Sequence, residues 1–374
     1  MIFCENCFTD SEIIARIKYN SEEDLPKNPE KGNCTICKSE NVYLYDTDSR
    51  TGLNDIFNSL LDLYMTDEEM PIDFPDHEKR FLCESLRKDW NLFNEILTDT
   101  DIESIIKNVS DEYCKNKPDI LSKKVGIPDK MNPSFISAHA LVKTKNWDAF
   151  VEEIKTKNRF HTNSINEEVL KRYCSYLGKR YKKGHKFYRG RISKSRSGIN
   201  ISEMGAPLSE VARAGRANAE GISHLYLAND VKTTIHEVRA GAYDIITVGT
   251  FELKKDIMII DFQQFDKISP FTDEMNLLEY AINVEHLRKM NTEMGKTLRR
   301  DDSPLDYIPT QFIADYIKSF QNDNFKLIYH GIEYQSTMNK DGSNLVAFYP
   351  EDFECMSVET VSVADIQYNY NPVK

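Results

Sequence analysis

Between Tyr181 and Asp230 stand nine cationic side chains, Lys182, Lys183, Lys186, Arg189, Arg191, Lys194, Arg196, Arg213 and Arg216, against four acids, Glu203, Glu210, Glu220 and Asp230. The whole chain carries a formal charge of −12, so this is a cationic island in an acidic protein. Such an island is either a solvated basic surface or a place where an anion binds. Small residues favour the anion: Gly215, Arg216, Asn218 and Gly221 have the composition of a loop that holds phosphate with backbone N–H groups and a guanidinium. A carboxylate follows. Glu237 is expected about two turns into a helix capped by Asp230, directly after a strand over 223–228. Fixed cations beside one acid suit chemistry on a phosphorylated sugar, where the acid steadies a cationic sugar carbon. Arg189 and Arg216 are the candidates for fork-shaped binding of a diphosphate or of an incoming phosphate. Arg191, two residues from Arg189, shares its strand face, and Arg213 is a further alternative. Asn218 can brace the glycine loop or touch a ribose.

A second constellation opens the chain. Cys4-x-x-Cys7 and Cys34-x-x-Cys37 are separated by 26 residues. Each pair presents two thiolates from a tight turn, and two pairs complete a tetrahedral Zn²⁺ site. A redox pair needs only one such motif. Four cysteines leave no open coordination position, so the expected zinc is structural, a staple for a segment too short to build its own core. Cys83, Cys114 and Cys174 fall inside helical patterns and are expected as packed thiols.

The elements that must position these groups are read from periodicity. From 48 to 183 the pattern is helical, with helices expected at 101–115, 146–158 and 166–182, and a proline-marked loop at 116–145. After Gly184 strands are expected at 185–192, 223–228, 244–254, 256–262, 325–330, 344–349 and 353–362, with helices at 230–240, 273–291 and 309–320. Strands without a regular βαβ rhythm indicate an α+β fold. The expected organisation is a zinc ribbon over 1–46, a helical region over 47–183 and a mixed domain over 184–374.

Composition limits the function classes. With 374 residues, 40% apolar and 29% charged, the chain is long enough for more than one core and is not of disordered type. No apolar run reaches the ~20 residues of a membrane span, and the start MIFCENCFTD lacks the charged and apolar regions of a secretory signal. A cytoplasmic protein without membrane association is expected, and its thiols are then reduced. The acidic balance argues against non-specific duplex binding, although a local basic groove leaves nucleic-acid contact open.

Several runs together resemble the RES domain: Phe187-Tyr-Arg-Gly-Arg, Ala214-Gly-Arg-Ala-Asn-Ala-Glu-Gly-Ile-Ser-His-Leu-Tyr-Leu-Ala, Thr233-Thr-Ile-His-Glu-Val-Arg, Tyr307-Ile-Pro-Thr-Gln-Phe-Ile-Ala-Asp-Tyr-Ile, Gly331-Ile-Glu-Tyr-Gln-Ser and Asn344-Leu-Val-Ala-Phe. The motifs span about 185–350 in the family's order. The Arg, Glu and Ser that name the family would be Arg189, Glu237 and Ser336. The resemblance implies a fold like ADP-ribosyltransferases, with two small sheets clamping NAD⁺. It also implies a toxin-like activity that destroys NAD⁺ by phosphorolysis or hydrolysis, with inorganic phosphate as co-substrate in the first case and a separate antitoxin as partner. On this basis Tyr188 and Tyr226 join the nucleotide-binding set, Tyr226 by stacking on nicotinamide or bonding a ribose hydroxyl. Ser336, with no base near it in sequence, is expected to orient its neighbours rather than attack. Self-association into a homo-oligomer is a further expectation, tied to no particular residue. Two other readings stay open: transfer of ADP-ribose to a protein or nucleic acid, and a non-catalytic nucleotide or nucleic-acid binding module.

Overall fold

The computed structural model describes residues 1–19, 30–143, 146–296, 303–324 and 326–366. The polar stretch between the two cysteine pairs lies mostly outside the described residues. The chain divides into two compact units, Met1–Lys143 with Lys267–His286, and Thr144–Asp266 with Leu287–Lys374. Composition draws its boundary at 184, whereas this division keeps 144–183 with the large sheet. No helix among the described residues is long and apolar enough to cross a membrane.

In the first unit, β1 (Ile2–Cys4), β2 (Lys31–Gly32) and β3 (Val42–Asp46) form an antiparallel sheet in the order β1-β3-β2. The helix α1 (Ser11–Lys18) starts at Asp10, whose carboxylate accepts from the backbone N–H of Glu12 and Ile13, a standard N-cap. There follow α2 (Asn54–Leu61), β4 (Met65–Thr66), β5 (Arg80–Phe81), α3 (Leu82–Lys88), α4 (Asp99–Val109), α5 (Asp111–Asn116), β6 (Lys124–Gly126) and α6 (Pro133–His139). A capping box of Thr98 and Asp101 opens α4. Phe3, Phe8, Phe57, Phe93 and Phe271 form a chain of ring contacts through the core. Two expectations are corrected here. The region is not purely helical, since β4, β6 and β5 make a second small sheet. Nor is 116–145 a loop. Pro118, Pro128 and Pro133 each begin a helical turn, where the missing N–H costs nothing and the fixed φ suits the first position.

The second unit holds α7 (Trp147–Thr156), α8 (Glu167–Tyr176), β7 (Gly178–Tyr181), β8 (Lys186–Ser193), β9 (Leu225–Ala228), α9 (Val231–Glu237), β10 (Ile245–Leu253), β11 (Ile257–Asp261), the later residues of α10 (Leu277–Gly295), α11 (Ile308–Ser319), β12 (Gly331–Gln335), β13 (Ser343–Ala347) and β14 (Phe353–Ser362). Mixed helix and sheet make the fold α+β, as expected. The expected helix over 166–182 stops at Tyr176. Residues 178–181 instead pair with β11, because Lys179 and Tyr181 alternate onto one face and both donate to the buried carboxylate of Glu333, at 2.8 Å each. The strand expected at 325–330 lies at 331–335. Its Glu333 hides it from a hydrophobic pattern, yet that side chain is only 3% exposed and is supplied with donors.

Among the described residues, the eight strands of this unit belong to one sheet, in the order β14-β10-β8-β9-β13-β12-β11-β7. The two small sheets implied by the resemblance are therefore joined, but narrowly. Between β8 and β9 the register contains one pair, Tyr188↔Ala228, so three strands and five strands meet at a single point and splay apart beyond it. One face of the junction is sealed by Phe187, Leu225, Leu227, Phe251, Leu253, Leu345 and Phe353. Burial of each such side chain contributes about 1.5–3 kcal/mol, enough to hold the splayed strands rigid.

Candidate active site and metal centre

The splay creates the site. In an antiparallel ladder Arg189 would face Leu227 and Gly190 would face Tyr226. Those pairs are not formed, and a cleft of about 240 Å³ opens there, lined by Tyr188, Arg189, Gly190, Tyr226, Leu227, Ala228, Thr234, Glu237, Val238, Tyr334 and Asn344. The helix α9 roofs it. A Cβ on Gly190 would stand 2.7 Å from the Thr234 side chain and 3.2 Å from that of Val238, so only glycine lets the helix come this close to β8.

Glu237 is the last residue of α9. Its Oε1 accepts two hydrogen bonds, from Ser336 Oγ at 2.6 Å and from Asn344 Nδ2 at 2.7 Å. Both donors are nearly buried, 3% and 5% exposed, so the carboxylate is held in one orientation. Ser336 Oγ also accepts from the backbone N–H of Met338 (3.2 Å) and Asn339 (3.1 Å). With both lone pairs occupied, its proton must point at Glu237. That makes Ser336 a donor to the Glu237 carboxylate.

Arg189 is rooted on the strand face opposite Tyr188 and Gly190, and its guanidinium lies in the gap between the two strands. There Nη1 donates to the Tyr226 carbonyl at 3.4 Å, while Nε is buried with no partner. Burial, and then the neighbouring Arg191 charge, pull its pKa down to about 10. A guanidinium with donor capacity to spare has the chemistry to bind an anion. Tyr226 donates to Asn218 Oδ1 at 2.6 Å and accepts from the Ala217 N–H at 3.2 Å, and burial pushes its phenol pKa up. Tyr334, its pKa raised to about 12 by burial, carries the Arg216 guanidinium 5.2 Å above its ring. Arg216 also donates to the Met294 carbonyl.

The sequence candidates thus divide. Tyr188, Arg189, Tyr226 and Glu237 line one cleft; Ser336 contacts it through Glu237 and Arg216 through Tyr334. Asn218 instead braces its loop, donating to the carbonyls of Arg213, Ala219 and Ile222. Arg213 is exposed, and Arg191 is exposed with Nη1 donating to the Glu203 carbonyl at 2.6 Å. Part of the expected backbone phosphate cradle is engaged within the chain. The N–H groups of Gly215, Ala217 and Gly221 bond to Asn218 O, Tyr226 Oη and Ala212 O, which leaves them engaged within the chain. His224 is buried beside Lys318 and Phe348, and burial, reinforced by that lysine, pushes its pKa down to about 4.

Sequence reasoning missed Asn344 and Tyr334. Both stand in quoted motif runs, but their place follows from the ladder: Asn344 pairs with both Ala228 and Tyr334, which puts all three on the face of Tyr188. That register is a long-range property with no local signal.

In the first unit, Cys4, Cys7, Cys34 and Cys37 bring their Sγ atoms within 4.8 Å of one another. The nearest approaches are 3.9 Å (Cys4–Cys7), 3.4 Å (Cys4–Cys37) and 3.6 Å (Cys7–Cys34). Four thiolates at ~2.3 Å from a tetrahedral ion lie ~3.8 Å apart, so the donor set fits a metal ion. Cys83, Cys114 and Cys174 are buried, as expected, and burial raises each thiol's pKa.

Among known protein families, the RES domain matches residues 190–371. No curated protein and no solved structure matches the chain.

Proposed function

Starting from a chain that belongs to the RES-domain family through residues 190–371, we propose that it is a toxin-like enzyme that cleaves the nicotinamide–ribose bond of NAD⁺. The C1′–N bond breaks, its electron pair goes to the pyridinium nitrogen, and neutral nicotinamide leaves. Water or inorganic phosphate then bonds to C1′, giving ADP-ribose with release of a proton, or ADP-ribose 1″-phosphate. The observation that carries this reading is a carboxylate, Glu237, fixed by Ser336 and Asn344 in the wall of a cleft that also holds Arg189.

In this reading Glu237 faces the sugar. Its Oε1 is occupied by the protein, and Oε2 is left for a ribose hydroxyl or for the positive charge that grows at C1′. Arg189 supplies the fork for the diphosphate or for the incoming phosphate. Tyr188, Tyr226 and Tyr334 form the aromatic walls for nicotinamide. A cleft of about 240 Å³ is smaller than a whole dinucleotide and suits its nicotinamide–ribose end, with the remainder running outward past Arg191. The cysteine cluster would hold one structural Zn²⁺ through Cys4, Cys7, Cys34 and Cys37. The zinc ribbon and helical region over 1–183 would serve partner sensing or self-restraint, and a separate antitoxin, a cytoplasmic setting and self-association complete the proposal.

The test is purified protein with NAD⁺ labelled in its adenine ring, with and without phosphate, products separated by chromatography. ADP-ribose or its phosphate ester is expected, and the phosphate-dependent species identifies the nucleophile. Label on a macromolecule would select ADP-ribosyl transfer instead, and an intact NAD⁺ pool would overturn catalysis. In the same assay Arg189→Lys keeps a positive charge but loses the planar fork. We expect KM for NAD⁺ to rise about 30-fold, roughly 2 kcal/mol, with a smaller change in kcat; an unchanged KM would remove Arg189 from anion binding.

A further inference from the structure

Glu237 has a companion on its own helix face. Thr233 lies four residues earlier, one turn away on the same side of α9, and is fully buried. Its hydroxyl accepts from Asn339 Nδ2 at 2.8 Å and donates to Asp230 Oδ2 at 2.6 Å. Asp230 Oδ1 in turn caps the helix by accepting from the Thr233 N–H at 2.7 Å. The turn that carries Ser336 therefore meets α9 at two points one helical turn apart, Ser336 on Glu237 and Asn339 on Thr233. The turn itself is closed by backbone bonds from Ser336 N to Gly342 O and from Gly342 N to Asn339 O, at 2.9 and 3.0 Å. Its approach is as close as the chain permits: a Cβ on Gly342 would fall 1.8 Å from Thr233 Oγ1.

We infer that Asp230, Thr233 and Asn339 form a latch that positions the Ser336–Glu237 pair. The ends of the turn are anchored by β12 and β13, and with Ser336 as its one contact on α9 the tip of the turn would be free to shift against the helix. A second point of attachment removes that freedom, so a group that does not reach the cleft supports the Ser336–Glu237 contact. Thr233, Asn339 and Asp230 are positioning residues in this scheme. Its kinetic consequence rests on the NAD⁺-cleaving reading, whereas its structural consequence does not.

Thr233→Val removes the hydroxyl and keeps the shape. Two readouts are taken on the full chain: kcat and KM for NAD⁺, and amide hydrogen exchange at Met338 and Asn339, whose N–H groups bond to Ser336 Oγ. We expect kcat to fall about tenfold with KM within about twofold of wild type, and exchange at the two amides to speed up about tenfold. Thr233→Ser, which restores the hydroxyl, is expected to recover both, and Asn339→Ala to reproduce the valine variant from the other side of the bond. Wild-type kcat and exchange in Thr233→Val would overturn the latch. So would a serine variant as impaired as the valine one, which would mean that packing rather than the hydroxyl matters. Were wild type itself inert toward NAD⁺, the functional reading would fail and the exchange rates alone would decide the latch.

Discussion

Glu237→Gln is expected to lower kcat for NAD⁺ cleavage about 10³-fold, roughly 4 kcal/mol of transition-state stabilisation, with little change in KM or thermal midpoint. The substitution is chosen for what it preserves. A glutamine Oε1 can accept the same two hydrogen bonds, from Ser336 and Asn344, that Glu237 accepts at 2.6 and 2.7 Å. Packing and the position of α9 are thereby kept, and only the negative charge is lost. That charge matters most when C1′ becomes cationic, and little while intact NAD⁺ is bound, so the loss belongs in kcat. Initial rates across a range of NAD⁺ concentrations separate the two. A glutamine variant within tenfold of wild-type kcat would sink the assignment of Glu237 as the acid that steadies the sugar cation.

The second large effect lies in the first unit. Cys34→Ser is expected to reduce bound zinc from one per chain to less than ~0.1 and to lower the thermal midpoint of this unit by about 10 °C. The physical ground is a disproportion. A structural zinc site contributes on the order of 10 kcal/mol or more to the folding of the segment it ties, comparable with the total stability of a domain. The sheet that carries the cysteines is small: β2 has two residues and β1 three. Part of the segment has other support, because Phe3, Ile13, Ile17 and Tyr45 are fully buried. The loss should therefore concentrate at the Cys34–Cys37 turn rather than melt the whole unit, and a few kcal/mol of net destabilisation corresponds to the stated shift. Metal analysis of the purified protein, with differential scanning calorimetry before and after chelation, measures both. Purified protein without zinc, or a thermal midpoint unchanged by chelation, would show that the four thiols are held by packing alone.

Much of this molecule is local in its sequence. The cysteine pairs announce a metal cluster because two residues between thiols is the span of one turn. The cap at Asp230 and the helix that follows it rest on side-chain-to-backbone bonding within a few residues, although that helix ends at Glu237 and not at 240 as expected, and α11 is legible from its apolar spacing. Arg189, Glu237 and Ser336 could be singled out because each stands in a motif run. Other expectations failed where longer-range forces decide. Lys179 and Tyr181 read as the end of a helix, yet a buried Glu333 more than 150 residues away draws them into a strand. The glycines at 215 and 221 read as part of a phosphate cradle, yet the carbonyls of Asn218 and Ala212 take the N–H groups of both.

Residue types, spacings and caps are properties of short stretches, and from them the chain alone determines the cysteine cluster, the acid on its helix and the run of cations that precedes it. What only tertiary structure decides is the cleft. It exists because β8 and β9 share one register pair and then part, and because β13 brings Asn344 opposite Ala228. Strand pairing joins residues 40 positions apart (Tyr188 and Ala228) and 116 apart (Ala228 and Asn344) through backbone groups that every residue carries, so no local pattern of side chains encodes where a ladder stops.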